Sequence, residues 1–275
     1  MKLFKNILNT IPRPFLIKAS YWVRPLFAFY LKGSRYTDPI DGKSFRKFLP
    51  YGYGEQRPNV LSPSTLSLER HRLLWLYLQN ETDFFKHELV SGSIKKDTET
   101  PSAVRAGNSA LKVLHMAPEQ CFLKRFQKLK HIDLITADLY SPIVDVKADI
   151  CDLPFDNDYF DIIFCNHVLE HIIDDKKAML ELYRVLKKGG MAILQIPQDY
   201  SREVTYEDFS ITSPEKRAKH FGQYDHVRVY GSDYFDRLRA VGFKVDEVNY
   251  SEKLSEKEID TYRLMKNEIL PVCFK

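Results

Sequence analysis

Cysteine is scarce in this chain: four in 275 residues, Cys121, Cys151, Cys165 and Cys273, with no CxxC pair among them. Three fall in apolar or strand-like stretches. The set therefore reads as reduced thiols of a cytoplasmic protein rather than a disulfide frame. No uncharged apolar run approaches the ~18 residues that a membrane-spanning helix needs. The opening MKLFKNILNTIPRPFLIKASYW is basic, but Pro12, Arg13, Pro14 and Lys18 interrupt any signal-peptide core. Acid is absent from residues 1–37, which carry Lys2, Lys5, Arg13, Lys18, Arg24, Lys32 and Arg35. Outside that arm, 34 basic residues face 37 acidic ones, so the positive charge is local and the body is mildly acidic. A broad basic stripe is missing, which argues against nucleic acid as a partner.

Glycine is missing from a place where it would be expected. LKVLHMAPEQC, residues 111–121, begins as a buried strand and runs into what reads as a ligand loop, yet holds no glycine. A pyrophosphate needs converging backbone N–H groups, which glycines supply by reaching positive φ. Here there is one small residue, Ala117, and Pro118 has no N–H, which argues against a dinucleotide. A phosphate-free ligand such as S-adenosylmethionine makes milder demands. Pro118 suits a first helical position, and Glu119 the first turn of the helix that follows.

What is present fits a globular α/β protein. Hydrophobic residues make up 44% and charged residues 28% of the chain. Residues 1–33 form a basic amphipathic arm, suited to an anionic membrane surface or to packing on the body or a second subunit. Residues 34–90 read as a small module ending in a helix with Leu66, Leu73, Leu74 and Tyr77 on one face. Residues 91–110 are polar and read as a linker. From 111 to 275 strand and helix patterns alternate, the signature of a parallel α/β sheet. The expected strands are 111–117, 132–138, 144–149, 161–166, 191–196, 243–249 and 270–274. The expected helices are 119–129, 175–187 with Asp175 as N-cap and Gly189 as stop, and 232–241 with Ser232 as N-cap.

In such a sheet the ligand sits at the carboxyl ends of the strands, near the switch point. Asp138 ends the second strand, where a carboxylate can accept from ribose hydroxyls, with Leu139 beside it. Asp149-Ile150 ends the third, giving an acceptor and an apolar wall for adenine. Cys165-Asn166-His167 ends the fourth.

Residues 111–249 resemble the class I S-adenosylmethionine-dependent methyltransferases, in the broad group called methyltransferase type 11. The residues that carry the resemblance are Asp149, Leu153-Pro154-Phe155, Phe160-Asp161, His167-Val168-Leu169-Glu170-His171, Arg184 to Gly190, and the stretch 226–243. The resemblance implies a Rossmann-like, seven-stranded, mostly parallel sheet flanked by helices, with S-adenosylmethionine held by His115, Met116, Ala117, Pro118, Glu119, Asp138, Leu139, Asp149, Ile150, Asn166 and His167. The departure is the first loop, where His115, Ala117, Glu119 and Cys121 occupy places usually held by an acid and alternate glycines. Residues 38–78 resemble a second element, a small zinc-finger-like module of methyltransferase relatives. Its Cys ligand positions read Asp38, Asp41, Ser62 and Thr65 here, a poor set for zinc. The expectation is a knuckle without metal, held by its prolines and by Phe45, Phe48 and Leu61; ordinary loops with coincident prolines are the alternative.

Residues 198–230 form a long polar insert with aromatics, suited to a substrate lid. Arg217, Lys219 and Arg228 could meet an anionic group or simply face solvent. For methyl transfer to oxygen or nitrogen a general base helps. His226 is the first candidate, with His167, His171 and Tyr224 behind it; His226 could instead pin the lid. His167 and His171 have metal-ligand spacing, but no third ligand is evident, and no metal is expected. The resemblance and the arm together imply a small-molecule, glycan or lipid acceptor, with a membrane surface and a homodimer as further candidate partners. Two other readings stay open: a non-catalytic binding or scaffold protein that keeps the fold, and an RNA methyltransferase.

Overall fold

The computed structural model describes residues 24–52, 56–86 and 110–275. Most of the basic arm and nearly all of the expected linker lie outside the described residues. In chain order the elements are β1 (Lys32–Thr37), β2 (Ser44–Phe45), β3 (Leu49–Tyr51), β4 (Arg57–Leu61), α1 (Glu69–Glu81), β5 (Leu111–Met116), α2 (Gln120–Phe126), β6 (Ile132–Asp138), β7 (Val146–Lys147), β8 (Phe160–Cys165), a 3-10 turn (Leu169–His171), α3 (Asp175–Val185), β9 (Leu186–Ile193), β10 (Tyr206–Glu207), α4 (Pro214–Phe221), β11 (Arg228–Val229), α5 (Tyr234–Ala240), β12 (Lys244–Val248), a 3-10 turn (Tyr250–Lys253), α6 (Glu256–Tyr262) and β13 (Leu270–Phe274). They divide into two compact units. Residues 250–268, expected within the C-terminal domain, belong with the N-terminal residues up to Asp83, and the rest form the second unit.

Among the described residues the first unit holds two small hairpins, the helices α1 and α6, the helical residues 24–30 and the 3-10 turn at 250–253. β1 pairs with β2 and β3 with β4, both antiparallel. The turn at Asp38-Pro39-Ile40-Asp41-Gly42 closes with Gly42 at φ +71° and its N–H on Asp38 O at 2.8 Å; a side chain there would be strained. Tyr36, Phe45 and Phe48 pack together as buried rings, while Leu61 is only half-buried. Leu73, Leu74 and Leu78 of α1 are fully buried as well, and the interior also encloses polar groups. Asp38 is fully buried and accepts from Ile40 N (2.9 Å), Ser67 Oγ (3.0 Å) and Thr65 Oγ1, which ties the two proline turns to each other. Arg72 of α1 is fully buried too. Its guanidinium donates to the carbonyls of Val60, Ser67, Tyr262 and Arg263 and lies over the Phe48 ring. One side chain thus fastens α1, the β4 strand and the segment 250–268.

The second unit is a seven-stranded sheet in the order β12-β13-β9-β8-β5-β6-β7. All neighbours are parallel except those of β13, which is antiparallel to both β12 and β9. This is the Rossmann-like, mostly parallel sheet expected. β5 is the hinge of the winding: the chain moves from β5 to β6 and β7 on one side, then returns to β8 on the other. The crevice of such a sheet opens over the carboxyl ends of β5, β6 and β8.

Several boundaries differ from expectation. α3 stops at Val185, and the strand begins at once at Leu186, so Lys187-Lys188-Gly189-Gly190 are strand and not a helix stop. Asp174 is the N-cap, accepting from Lys177 N at 3.0 Å; Asp175 is instead buried in the first turn. α5 is preceded by Asp233, not Ser232, and α2 starts only at Gln120, so Pro118 precedes the helix and Glu119 is its N-cap residue without a side-chain cap. Arg184 explains why the DLPF loop is where it is: it donates to the carbonyls of Leu153 and Phe155 and pairs with Glu181.

Two outcomes follow for the first unit. Asp38→Ala leaves three buried donors without an acceptor and should cost about 3 kcal/mol of unfolding free energy by denaturant titration. Burial pushes the Glu268 carboxyl up to about 7, with Glu69 adding to the rise and Arg70, Arg57 and Arg72 opposing it. A carboxyl raised in the folded state favours folding while protonated. Its contribution is complete below the ordinary value near 4.5 and is lost as pH rises through about 7. Wild type should therefore lose on the order of 2 kcal/mol between pH 5 and pH 8 that Glu268→Gln does not lose, read as two melting-temperature profiles.

Candidate active site

The loop after β5 is built by side chains where glycines would otherwise shape it. Ala117 sits at φ +44°, the left-handed region, and its N–H bonds Ala137 O at 2.8 Å. His115 is wholly buried beneath the loop among the rings of Phe122, Phe126 and Phe164, with Nε2 in contact with Glu119 Oε2. The other Glu119 oxygen accepts from Asn166 Nδ2 at 3.0 Å. Asn166, in turn, accepts from Gln195 N through Oδ1. Glu119 thus joins the ends of β5 and β8 across the switch point. Contrary to the expectation that His115 meets the cofactor, its place is under the loop, acting through Glu119. Met116 is buried, and Ala117, Pro118 and Glu119 are half-buried.

Around the same sheet edge, Asp138 is half-buried. Its Oδ1 accepts from Tyr140 N (2.7 Å) and Ser141 N (2.5 Å), which bends the chain away and keeps the carboxylate at the strand end. Leu139 is exposed. Asp149 is exposed and accepts from Cys151 N, with Ile150 buried behind it. The arrangement offers two carboxylates, an apolar wall and a backbone turn at one edge.

The insert 198–230 is an ordered segment: β10 pairs with β11, and α4 is capped by Ser213 with Gly222 closing it at φ +82°. Arg228 anchors it. The guanidinium is 1% exposed and donates to Glu207 and to the carbonyls of Leu169, Ile172 and Ile173. That corrects the reading of Arg228 as an anion-binding residue; Arg217 likewise donates to Ile211 O. The anchoring brings His226 against His171, ring centroids 4.7 Å apart and nearly perpendicular. Val227 N holds Glu170 O at 2.9 Å. His167 is at φ +54°, with its Nδ1 3.3 Å from Glu170 Oε1. So the structure unites His167, His171 and His226 at one place. Tyr224 is on the exposed side of the same segment. Burial holds the His226 imidazole below its ordinary value, the nearby His171 adding to that and Glu170 opposing it.

Two residues missed from the sequence matter here. Glu170, buried at 1%, has neither carboxylate oxygen in a well-formed hydrogen bond. Gln195 is buried with both amide atoms unpartnered, just beyond β9 and beside Asn166. The HVLEH and LQIP motifs contained them, but only the fold shows that their polar ends lack partners.

A family model described as "Methyltransferase domain" matches residues 103–194, the stretch that contains the loop, Asp138, Asp149, Asn166 and Glu170. The chain is 43% identical over 49 residues to the demethylmenaquinone methyltransferase of Clavibacter sepedonicus, covering 18% of this chain and 20% of that protein. It is 28% identical over 150 residues to the ubiquinone/menaquinone biosynthesis C-methyltransferase UbiE of a Marinomonas species, covering 45% and 59%. A crystal structure of a SAM dependent methyltransferase from Archaeoglobus fulgidus is similar at 14% identity and a TM-score of 0.43, over 74% of this chain and 94% of that one. The chain spans about a fifth of the length of the first of these relatives.

Removal of the Glu119 carboxylate strips Asn166 and His115 of their acceptor. Glu119→Ala should cost about 2 kcal/mol and speed amide exchange in 115–121, measured by mass spectrometry. Ala117→Gly should hold or raise stability, because a left-handed alanine costs ~1 kcal/mol.

Proposed function

We propose that this protein is an S-adenosylmethionine-dependent methyltransferase acting on a small-molecule acceptor. The observation that carries the reading is the coincidence of the methyltransferase-domain match with the strand ends that build the crevice. When bound, the cofactor supplies an electrophilic methyl group. The chain's own residues bind, orient and exclude water. Ala117 and Pro118 leave room for close approach of the ligand to the backbone. Asp138 and Asp149 take the sugar hydroxyls and the adenine edge, with Ile150 as the apolar wall, and Asn166 and His167 contribute at the end of β8. The acceptor lies on the side of His171, His226 and the unpartnered amide of Gln195, and the insert 198–230 covers it.

The printed names of the relatives, which refer to quinone methylation, support a small acceptor. Oxygen, nitrogen and carbon acceptors are separated by the product formed. Leu26, Phe27, Phe29 and Tyr30 are exposed on the helical residues 24–30 next to the acid-free arm, which supports a lipid surface as a place of work. Among the described residues no helix is long and apolar enough to cross a membrane. We also read residues 38–65 as a knuckle in which the bonds of Asp38 to Thr65 and Ser67 replace a metal cross-link.

Calorimetric titration with S-adenosylmethionine and S-adenosylhomocysteine tests the reading. Binding should be one to one and weaken at least tenfold in Asp138→Ala. Absence of heat and of thermal shift with both ligands would leave the fold as a binding scaffold.

A further inference from the structure

Glu170, His171 and His226 each offer one ligand atom, and the three atoms lie within 4.8 Å of one another. We infer that these residues form a binding site for a first-row divalent metal ion such as zinc or manganese, at the acceptor side of the crevice. The inference rests on the methyltransferase reading for its purpose but not for its chemistry.

Three observations carry it. The first is the donor set. Two imidazoles and one carboxylate are a borderline nitrogen and oxygen set, suited to zinc, manganese or iron(II); magnesium and calcium take mostly oxygen ligands. Three protein ligands leave coordination positions open for an exchangeable molecule. The second is Glu170. A buried carboxylate whose oxygens make no well-formed hydrogen bond, with His167 Nδ1 standing 3.3 Å from Oε1, is costly, and few native residues are left that way. A cation between it and the two imidazoles removes that cost. The third is orientation. Phe221 O accepts from His226 Nδ1 at 3.2 Å, and Asp225 O lies 3.3 Å from His171 Nδ1. Each carbonyl fixes a proton on Nδ1 and leaves Nε2 as the lone-pair nitrogen, the backbone support that metal-bound histidines usually have. The spacing is close to what a metal needs. With bonds of about 2.1 Å, two ligand atoms stand at most about 4.2 Å apart, so a rotamer adjustment of less than about 1 Å closes the site.

The sequence-level expectation of no metal followed from pairing His167 with His171 and finding no third ligand. The third ligand comes from the insert, 55 residues beyond His171 in the chain, and the carboxylate is Glu170. His167, 3.3 Å from Glu170, stands beside the set as a neighbour of its carboxylate. At this position a metal would hold an oxygen-bearing acceptor through its open positions and lower the pKa of a bound hydroxyl. That role selects acceptors with a hydroxyl or a pair of adjacent oxygens.

The test uses the untagged full-length protein, stripped with a chelator and dialysed. Zinc titrated by calorimetry should bind at one equivalent, and cobalt(II) should give a visible d–d spectrum that zinc abolishes. His226→Ala and Glu170→Gln should each weaken zinc binding at least tenfold, and magnesium should give no comparable heat. S-adenosylmethionine is titrated into the same samples. Cofactor binding without zinc binding overturns the metal site alone, whereas zinc binding without cofactor binding overturns the methyltransferase reading alone. Zinc binding unchanged in both variants also overturns the assignment. If Glu170→Gln fails to fold, His226→Ala and the cobalt spectrum of wild type decide.

Discussion

The Glu119 carboxylate holds the crevice together. One oxygen meets His115 at the end of β5 and the other meets Asn166 beyond β8, so a single side chain spans the point where the sheet changes winding direction. Glycine-rich loops take their shape from backbone freedom and can approach a ligand closely for that reason. Here the backbone has little freedom, and Ala117 is held at a positive φ that costs ~1 kcal/mol. Such a residue persists only where its surroundings over-determine it. The buried imidazole below, the carboxylate beside it and the Ala117 bond to Ala137 O supply that determination. A loop without glycine is thus stiffer, and its exposed face is set before any ligand arrives.

Much of the sheet was legible because its strands are apolar runs. The stretches 132–138 and 270–274 match the observed strands to the residue; every residue of the second is buried, which leaves little else for its Leu, Val and Phe to do. The strand from Leu186 was read too short because its first half is lysine and glycine. Its pairing with Phe160 at the start of β8 is what extends it. α6 was missed for the opposite reason: Ile259 is its only buried residue, so no apolar stripe marks it. Its Ser255 and Glu258 capping box is the sole local signal. The two-residue strands β10 and β11 pair beside the buried Arg228, which bonds Glu207 and the carbonyls around the 3-10 turn, and no local propensity announces them.

The site divides the same way. Residues at strand ends, such as Asp138 and Asp149, could be placed from topology alone. Those whose part depends on a partner distant in sequence could not. Arg228 looks like a free cation until Glu207 and the three carbonyls are seen around it, and His115 looks like a ligand contact until the Phe126 and Phe164 rings are seen over it. The first unit repeats the point with buried charge. Arg72 and Asp38 are each fully enclosed and bonded by groups distant in the chain, Arg72 by the carbonyls of Val60, Ser67, Tyr262 and Arg263 and Asp38 by Thr65 and Ser67. Polar groups in that position hold the unit in one arrangement, because any other would leave them unpaired.

Glu170 is the contrast that gives the second unit its interest. Arg72 and Asp38 are buried and satisfied, and their charge serves the fold. Glu170 is buried as deeply, but its neighbours are imidazoles, with His167 Nδ1 3.3 Å from Oε1, and neither oxygen makes a well-formed hydrogen bond. Nothing in the packing requires a carboxylate there: Leu169 beside it fills the core, and an uncharged residue of similar size would avoid the cost of burying a charge. This carboxylate among imidazoles is the arrangement on which the proposed metal site rests, beyond the β8 end and bonded through its carbonyl to Val227 N of the segment that delivers His226. Glu170 and the strained Ala117 both follow the carboxyl ends of central strands, β8 and β5, where a sheet of this kind takes its ligand.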